Sequence, residues 1–287
     1  MTTCIAAISQ RYHIVTASDT RLSFGGSYST DGIVKEEAIH GEWGVMIAGS
    51  DMAEAPAVIH EVRRLLRERS GDLLTVKTAF KSAYQLSRRQ AMTDRFLSTF
   101  DMTIDEFKKR GSKQLPQEIF TDLAFQMKSF NLGCTFLVFG FDEKALPHLF
   151  VVRNPGRIES YDKPGFWAIG AGASAALSML SLLHQHSERS TLHETIYNVL
   201  AAKYSSESAS DVGPETWLWI KKINCIGFSN DVGMERQIRD LWETAGKPAT
   251  LASALTVIER SALCFWERGA DGKPRPLLDS ETLKQAH

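Results

Sequence analysis

A threonine stands directly behind the initiator methionine, in Met1-Thr2-Thr3-Cys4-Ile5-Ala6-Ala7. Methionine is usually trimmed when the next side chain is small, which would leave a hydroxyl and a free α-amine on one residue. Such a residue can act as nucleophile and general base at once, because an α-amine titrates near ~7.7–8.0, far below lysine. Ordinary chains also begin Met-Thr, so the reading draws its force from polar residues delivered by apolar, strand-like runs. Ile14-Val15-Thr16-Ala17 leads into Ser18-Asp19-Thr20-Arg21, Ile33-Val34 into Lys35, and Val45-Met46-Ile47-Ala48 into Gly49-Ser50. Lys35 follows Asp19 by sixteen positions, and Gly49 follows Lys35 by fourteen.

These residues need strands to hold them. Thr3 to Ser18 reads as two antiparallel strands joined at Gln10-Arg11-Tyr12-His13, followed by a loop containing Gly25-Gly26 and Asp31-Gly32. Ile33 to Ile39 and Trp43 to Ala48 read as a second hairpin, turning at His40-Gly41-Glu42. Met52, Ala55, Ile59, Val62 and Leu66 then recur at helical spacing, with Pro56 tolerated in the first turns. A second helix spans Leu73 to Met92. Thr93 to Ser129 sets five phenylalanines among many charges and breaks at Gly111 to Pro116. Gly133 to Phe141 and Leu149 to Arg153 resume strand character, and Phe166 to Ile169 leads into Gly170-Ala171-Gly172. Two helical patterns, Ala175 to Gln185 and Leu192 to Tyr204, precede strands at Trp217 to Ile220 and Cys225 to Phe228. The tail contains one helix near Leu251 to Trp266. This order suits two sheets packed face to face with helices outside each.

The stretches Thr2-Thr3-x-Ile5-Ala6, Ala17-Ser18-Asp19-Thr20-Arg21, Ile33-Val34-Lys35 and Ile47-Ala48-Gly49-Ser50 resemble the β-type subunits of the proteasome, within the N-terminal-nucleophile (Ntn) hydrolase superfamily. The Asp-to-Lys and Lys-to-Gly separations are those of that family. The resemblance is clear over roughly the first 70 residues and returns from about Gly133 to Phe228. It implies an α+β fold, a four-layer αββα sandwich of two mainly antiparallel sheets, over residues 1–228. A helical insertion at about 93–129 and a C-terminal helical extension, 229–287, would be additions to it.

The same resemblance implies a threonine-type amide hydrolase. Thr2 would attack the carbonyl while its α-amine takes the proton. Counting sixteen back from Asp19 reaches Thr3, whereas the Thr-Thr-x-Ile-Ala strand and methionine removal both favour Thr2. Lys35 is expected as a buried ammonium that disfavours protonation of the α-amine, with Asp19 as its counter-ion. Gly49 would give a backbone N–H to the oxyanion, and Arg21 would organise the site. Asp211 or Ser208 would serve from the loop before a late strand. Leu22, Ile33, Ile47 and Met52 would line an apolar substrate pocket, although Ile33 and Ile47 also read as core. Gly170-Ala171-Gly172 departs from the family's Gly-Ser-Gly, so a hydroxyl is missing there.

Related subunits assemble in rings, so a homo-oligomeric ring or open ring acting on peptides or proteins is implied. No phosphate-binding glycine loop is present, so any ATPase would be a separate partner. A net charge of −1 argues against nucleic acid or an anionic membrane as partner, and no apolar run reaches the length of a membrane span. Four scattered cysteines without CxxC, and an N-terminus without signal-peptide character, point to a reducing, cytoplasmic setting. His184 and His186 do not share a helical face, so with His193 they read as solvated rather than metal-binding, and no metal or cofactor is expected. Two other readings stay open: an Ntn amidase for small amides, and a catalytically silent scaffold or binding subunit, which Ala171 favours.

Overall fold

Strand β1 (Thr3–Ser9) is buried along its whole length because both of its faces are covered. Ile5 and Ala7 turn to one side and Cys4, Ala6 and Ile8 to the other, the period-two alternation of a strand. It pairs with β2 (His13–Asp19), Cys4 opposite Ser18, across a turn where Gln10 (φ 47°) and Arg11 (φ 61°) take left-handed backbone. The computed structural model describes residues 2–24, 28–223, 225–227, 232–244, 251–260, 265–268 and 274–277.

Beyond β2, the segment expected as loop contains a two-stranded ribbon of β3 (Leu22–Phe24) and β4 (Tyr28–Thr30). The second hairpin is β5 (Glu36–His40) and β6 (Trp43–Gly49). It starts later than the sequence suggested: Ile33 and Val34 lie outside the ladder and are 41% and 45% exposed. Helices α1 (Ala55–Leu66) and α2 (Leu73–Met92) follow, the second capped by Asp72, which accepts from the Thr75 N–H at 2.9 Å. The insertion is helical, as expected. Short turns including α3 (Ile104–Glu106) and α4 (Ser112–Gln114) lead to α5 (Gln117–Ser129), and Leu97, Ile104, Phe107, Leu123 and Met127 give it a small core of its own.

β7 (Cys134–Phe141), β8 (Pro147–Arg153), β9 (Arg157–Ser160) and β10 (Phe166–Gly170) come next, then α6 (Ala173–Leu182), α7 (Leu192–Ser206), β11 (Thr216–Lys222) and β12 (Cys225–Gly227). The extension supplies α8 (Val232–Thr244) and α9 (Leu251–Arg260). It also supplies two strands that the sequence did not suggest, β13 (Phe265–Arg268) and β14 (Pro274–Leu277). Trp266 therefore belongs to a strand rather than to the preceding helix.

One sheet runs β10-β1-β2-β11-β12-β13-β14 and the other β5-β6-β7-β8-β9. Three apolar layers hold the stack. Val45, Phe80, Phe136 and Phe150 pack between the second sheet and α1 and α2. Met46, Leu137, Phe139 and Leu149 meet Cys4, Ala6 and Ile14 between the sheets. Ile5, Val15, Tyr197 and Leu200 pack under α6 and α7, and Ile238, Trp242 and Ile258 of the extension join that same core. The result is an α+β sandwich whose two sheets are antiparallel at every pairing described.

Candidate active site

Thr2 immediately precedes β1, and the alternation that turns Cys4 and Ala6 between the sheets applies to it as well. Lys35 reaches the same place from the facing sheet. Its carbonyl accepts the Ile47 N–H at 3.1 Å, while the Ile33 N–H reaches the Thr20 carbonyl at 3.0 Å, so the segment is tied to both sheets. The Thr2 hydroxyl donates to Asp19 Oδ1 and accepts from Lys35 Nζ. Lys35 Nζ lies 2.9 Å from Asp19 Oδ2, with the two side chains 2% and 0% exposed. Thr2 itself is 4% exposed.

Two charges so deeply buried persist only as a pair with further hydrogen bonds, and Asp19 collects them. Oδ1 accepts the Thr3 N–H at 2.8 Å, and Oδ2 accepts the N–H groups of Arg21 at 3.1 Å and Gly213 at 3.3 Å. Beside them Glu36 is buried, with the Thr16 hydroxyl donating to its Oε2 at 2.8 Å. Burial pushes the Glu36 carboxyl up to about 8, against the Thr16 hydrogen bond and the Lys221 charge, which favours its neutral form at pH 7. Burial likewise pushes the Cys4 thiol up to about 12, which leaves it a neutral packing group.

Thr2 and Thr3 occupy different positions. The Thr3 hydroxyl lies on the opposite side, where a Cβ on Gly172 would stand 2.1 Å from it. A Cβ on Gly170 (φ +99°) would stand 1.9 Å from the Thr2 carbonyl oxygen. Both glycines of Gly170-Ala171-Gly172 are thus required by the close approach of the chain start, and the exposed Ala171 sits between them. Gly49 has a packing reason too: its Cβ would meet the Gly133 carbonyl oxygen at 2.0 Å.

The remaining candidates divide. Arg21 serves Asp19 through its backbone, while its guanidinium pairs with Asp31 at 3.2 Å. Ser208 turns its hydroxyl to the Ser205 carbonyl at 2.9 Å, and no hydrogen bond joins Asp211 to Thr2, Asp19 or Lys35 among the described residues. Their loop reaches the site through the Gly213 N–H instead. Ile47 is 6% exposed and belongs to the core under α1, whereas Ile33 is open to solvent. Met52 is half-buried against that core, and the side chain of Leu22 lies outside the described residues.

Sequence reasoning missed the brace behind Gly213. Lys203, fully buried on α7, donates to the carbonyls of Gly213 at 2.9 Å and Pro214 at 3.3 Å and pairs with Glu207. Burial lowers the Lys203 ammonium and the Glu207 charge opposes that. Arg239 of α8 then forks onto Glu207 at 2.9 and 3.0 Å and donates to the Pro214 carbonyl at 2.6 Å. The Lys203-x-x-x-Glu207 and Glu235-x-x-x-Arg239 spacings, each about one helical turn, were its signs in the sequence.

No protein-family model matches the chain, and no curated protein is similar enough in sequence to match it. Solved structures do match. An Anbu (Gly-1) mutant from Hyphomicrobium sp. strain MC1 is 18% identical over 91% of this chain and 100% of its own, with a TM-score of 0.58. Anbu (ancestral beta-subunit) from Yersinia bercovieri is 13% identical over 91% of this chain and 97% of its own, with a TM-score of 0.59. With two antiparallel sheets between helical layers and this likeness along nearly its whole length, the chain has the proteasome-subunit type of Ntn-hydrolase fold.

Proposed function

We propose that this protein is an N-terminal threonine hydrolase of amide bonds, with peptides as its substrates and Thr2 as nucleophile once Met1 is removed. The observation that carries the reading is the Thr2 hydroxyl held between the Asp19 carboxylate and the Lys35 ammonium. The ammonium stabilises negative charge as it develops on the oxygen, and it opposes protonation of the nearby α-amine, which keeps that amine a base at neutral pH. Asp19 already accepts three backbone N–H groups and the Lys35 ion pair, so taking the proton itself would weaken that set. The α-amine is the better acceptor. Attack on the carbonyl gives a tetrahedral intermediate, with the Gly49 N–H as donor to its oxyanion. Collapse releases the amine product, and water hydrolyses the ester left on Thr2. No metal or cofactor enters the scheme. Several copies would enclose the sites, and any unfolding of substrates would fall to a separate ATPase.

The test is the intact mass of untagged protein, followed by electrophile labelling and hydrolysis of a peptide library. Loss of one methionine, labelling at Thr2 and peptide cleavage support the reading. Retention of Met1 blocks the base and overturns it. A second reading, a silent scaffold subunit, is favoured by Ala171, which leaves the Gly170-Ala171-Gly172 turn without a hydroxyl beside Thr2. Methionine removal without turnover on peptides or small amides would support it.

A further inference from the structure

The helical insertion builds a groove of its own. An open cavity of about 760 Å³ lies between α2, the turns around Phe107 and α5. Its floor is apolar, with Met92, Ile104, Phe107 and Met127, and its rim carries Arg88, Arg89, Lys108 and Lys128 with no carboxylate among the lining residues. Arg88 is engaged with the carbonyls of Met127 and Phe130 at the end of α5, and Arg89 pairs with Asp105. Lys108 and Lys128 are exposed and have no carboxylate partner among the described residues.

The complementary surface is on the same helix. α5 buries Leu123 and Met127, and at about 100° per residue the stripe pointing the other way is Glu118, Asp122 and Phe125. Phe125 is 70% exposed, and neither acid has a cationic partner among the described residues. One face of α5 therefore lines a cationic groove with an apolar floor, and its other face presents two carboxylates around an aromatic ring.

We propose that the outer face of α5 in one copy docks into this groove of the next, Phe125 on the apolar floor and Glu118 and Asp122 against Lys108 and Lys128. The contact is heterologous, since each copy gives a helix in one direction and a groove in the other, so it propagates into a ring or an open helical array. It rests on the assembly part of the proposed function and is independent of the chemistry at Thr2.

The test is sedimentation velocity of the full chain in two charge-reversed forms. One carries Lys108→Glu with Lys128→Glu, and the other Glu118→Lys with Asp122→Lys. All four positions are exposed, so circular dichroism and melting should match the wild type. Each form alone opposes like charges at the contact and should lose the wild-type mass, with at least tenfold weaker association. Mixed in equal amounts the two are complementary at every contact of an alternating array and should associate again. Wild-type mass in either form alone, or no association on mixing, overturns this surface. A monomeric wild type overturns it together with the assembly reading, whereas peptide cleavage is judged separately.

Discussion

The Gly213 N–H points at Asp19 Oδ2 from 3.3 Å, joining residues 194 positions apart. It is a main-chain donor, so its aim depends on how the loop after α7 is held. Lys203 holds the Gly213 carbonyl, and Arg239 holds both Glu207 and the Pro214 carbonyl. Truncation of Arg239 in Arg239→Met should therefore lower kcat about tenfold with little change in KM, because it disturbs the carboxylate rather than the substrate contacts. Arg239→Lys restores one donor of the fork and should recover part of the rate. Steady-state kinetics on a fluorogenic peptide measure both, and an unchanged kcat would remove Arg239 from the site's support.

Thr2→Ala deletes the proposed nucleophile and leaves the Lys35–Asp19 pair intact. Turnover should fall by about three orders of magnitude or more, while the unfolding midpoint moves little. Wild-type turnover by this variant would refute the mechanism.

Removing Lys35 is a different kind of loss. Lys35→Ala strands the buried Asp19 carboxylate, so stability should drop by about 3–5 kcal/mol along with activity. The pair Asp19→Asn with Lys35→Met removes both charges, keeps an amide oxygen for part of the backbone donor set, and should regain some of that stability without any activity. Urea titrations of the three proteins separate charge burial from catalysis.

Glu36 ties stability to pH. Its folded value near 8 stands above the ordinary 4.5. Between these values the folded protein keeps a proton that the unfolded chain has released. The contribution is complete below about pH 4.5 and is lost as pH rises through about 8, at about 1.4 kcal/mol per unit at most. His13 runs the other way: burial, with Lys222 adding to it, pushes it down to about 4, so its contribution is lost as pH falls below 6.5. Glu36→Gln should flatten the decline above pH 6.5 and steepen the His13 limb between about pH 4.5 and 6.5, where the two slopes oppose each other in the wild type. Equal pH profiles for the variant and the wild type would count against a protonated Glu36.

Asp19 and Lys35 were legible in the sequence because each is a charge delivered by an apolar run, and the spacing matched a known family. Gly213 was not, since a backbone N–H is common to almost every residue and its role arises only from the loop's position. Ser208 and Asp211 drew attention as side chains in the right loop, while the loop's contact is made by its main chain. Lys35 was legible as a charge, but the start of β5 was not: Ile33 and Val34 look like strand residues and yet stand open to solvent. The helical character of residues 93–129 was expected from the family resemblance rather than from a period in the segment itself. β9, β13 and β14 are four residues each, too short for a period-two pattern to rise above composition.

The reach of Arg239 back to the loop that touches Asp19 has a consequence during synthesis. Synthesis reaches Asp19 194 residues before Gly213, and Arg239, which braces that loop, comes later still. A nascent chain thus carries an unfinished centre until Arg239 has been made, and one terminated before that point never finishes it.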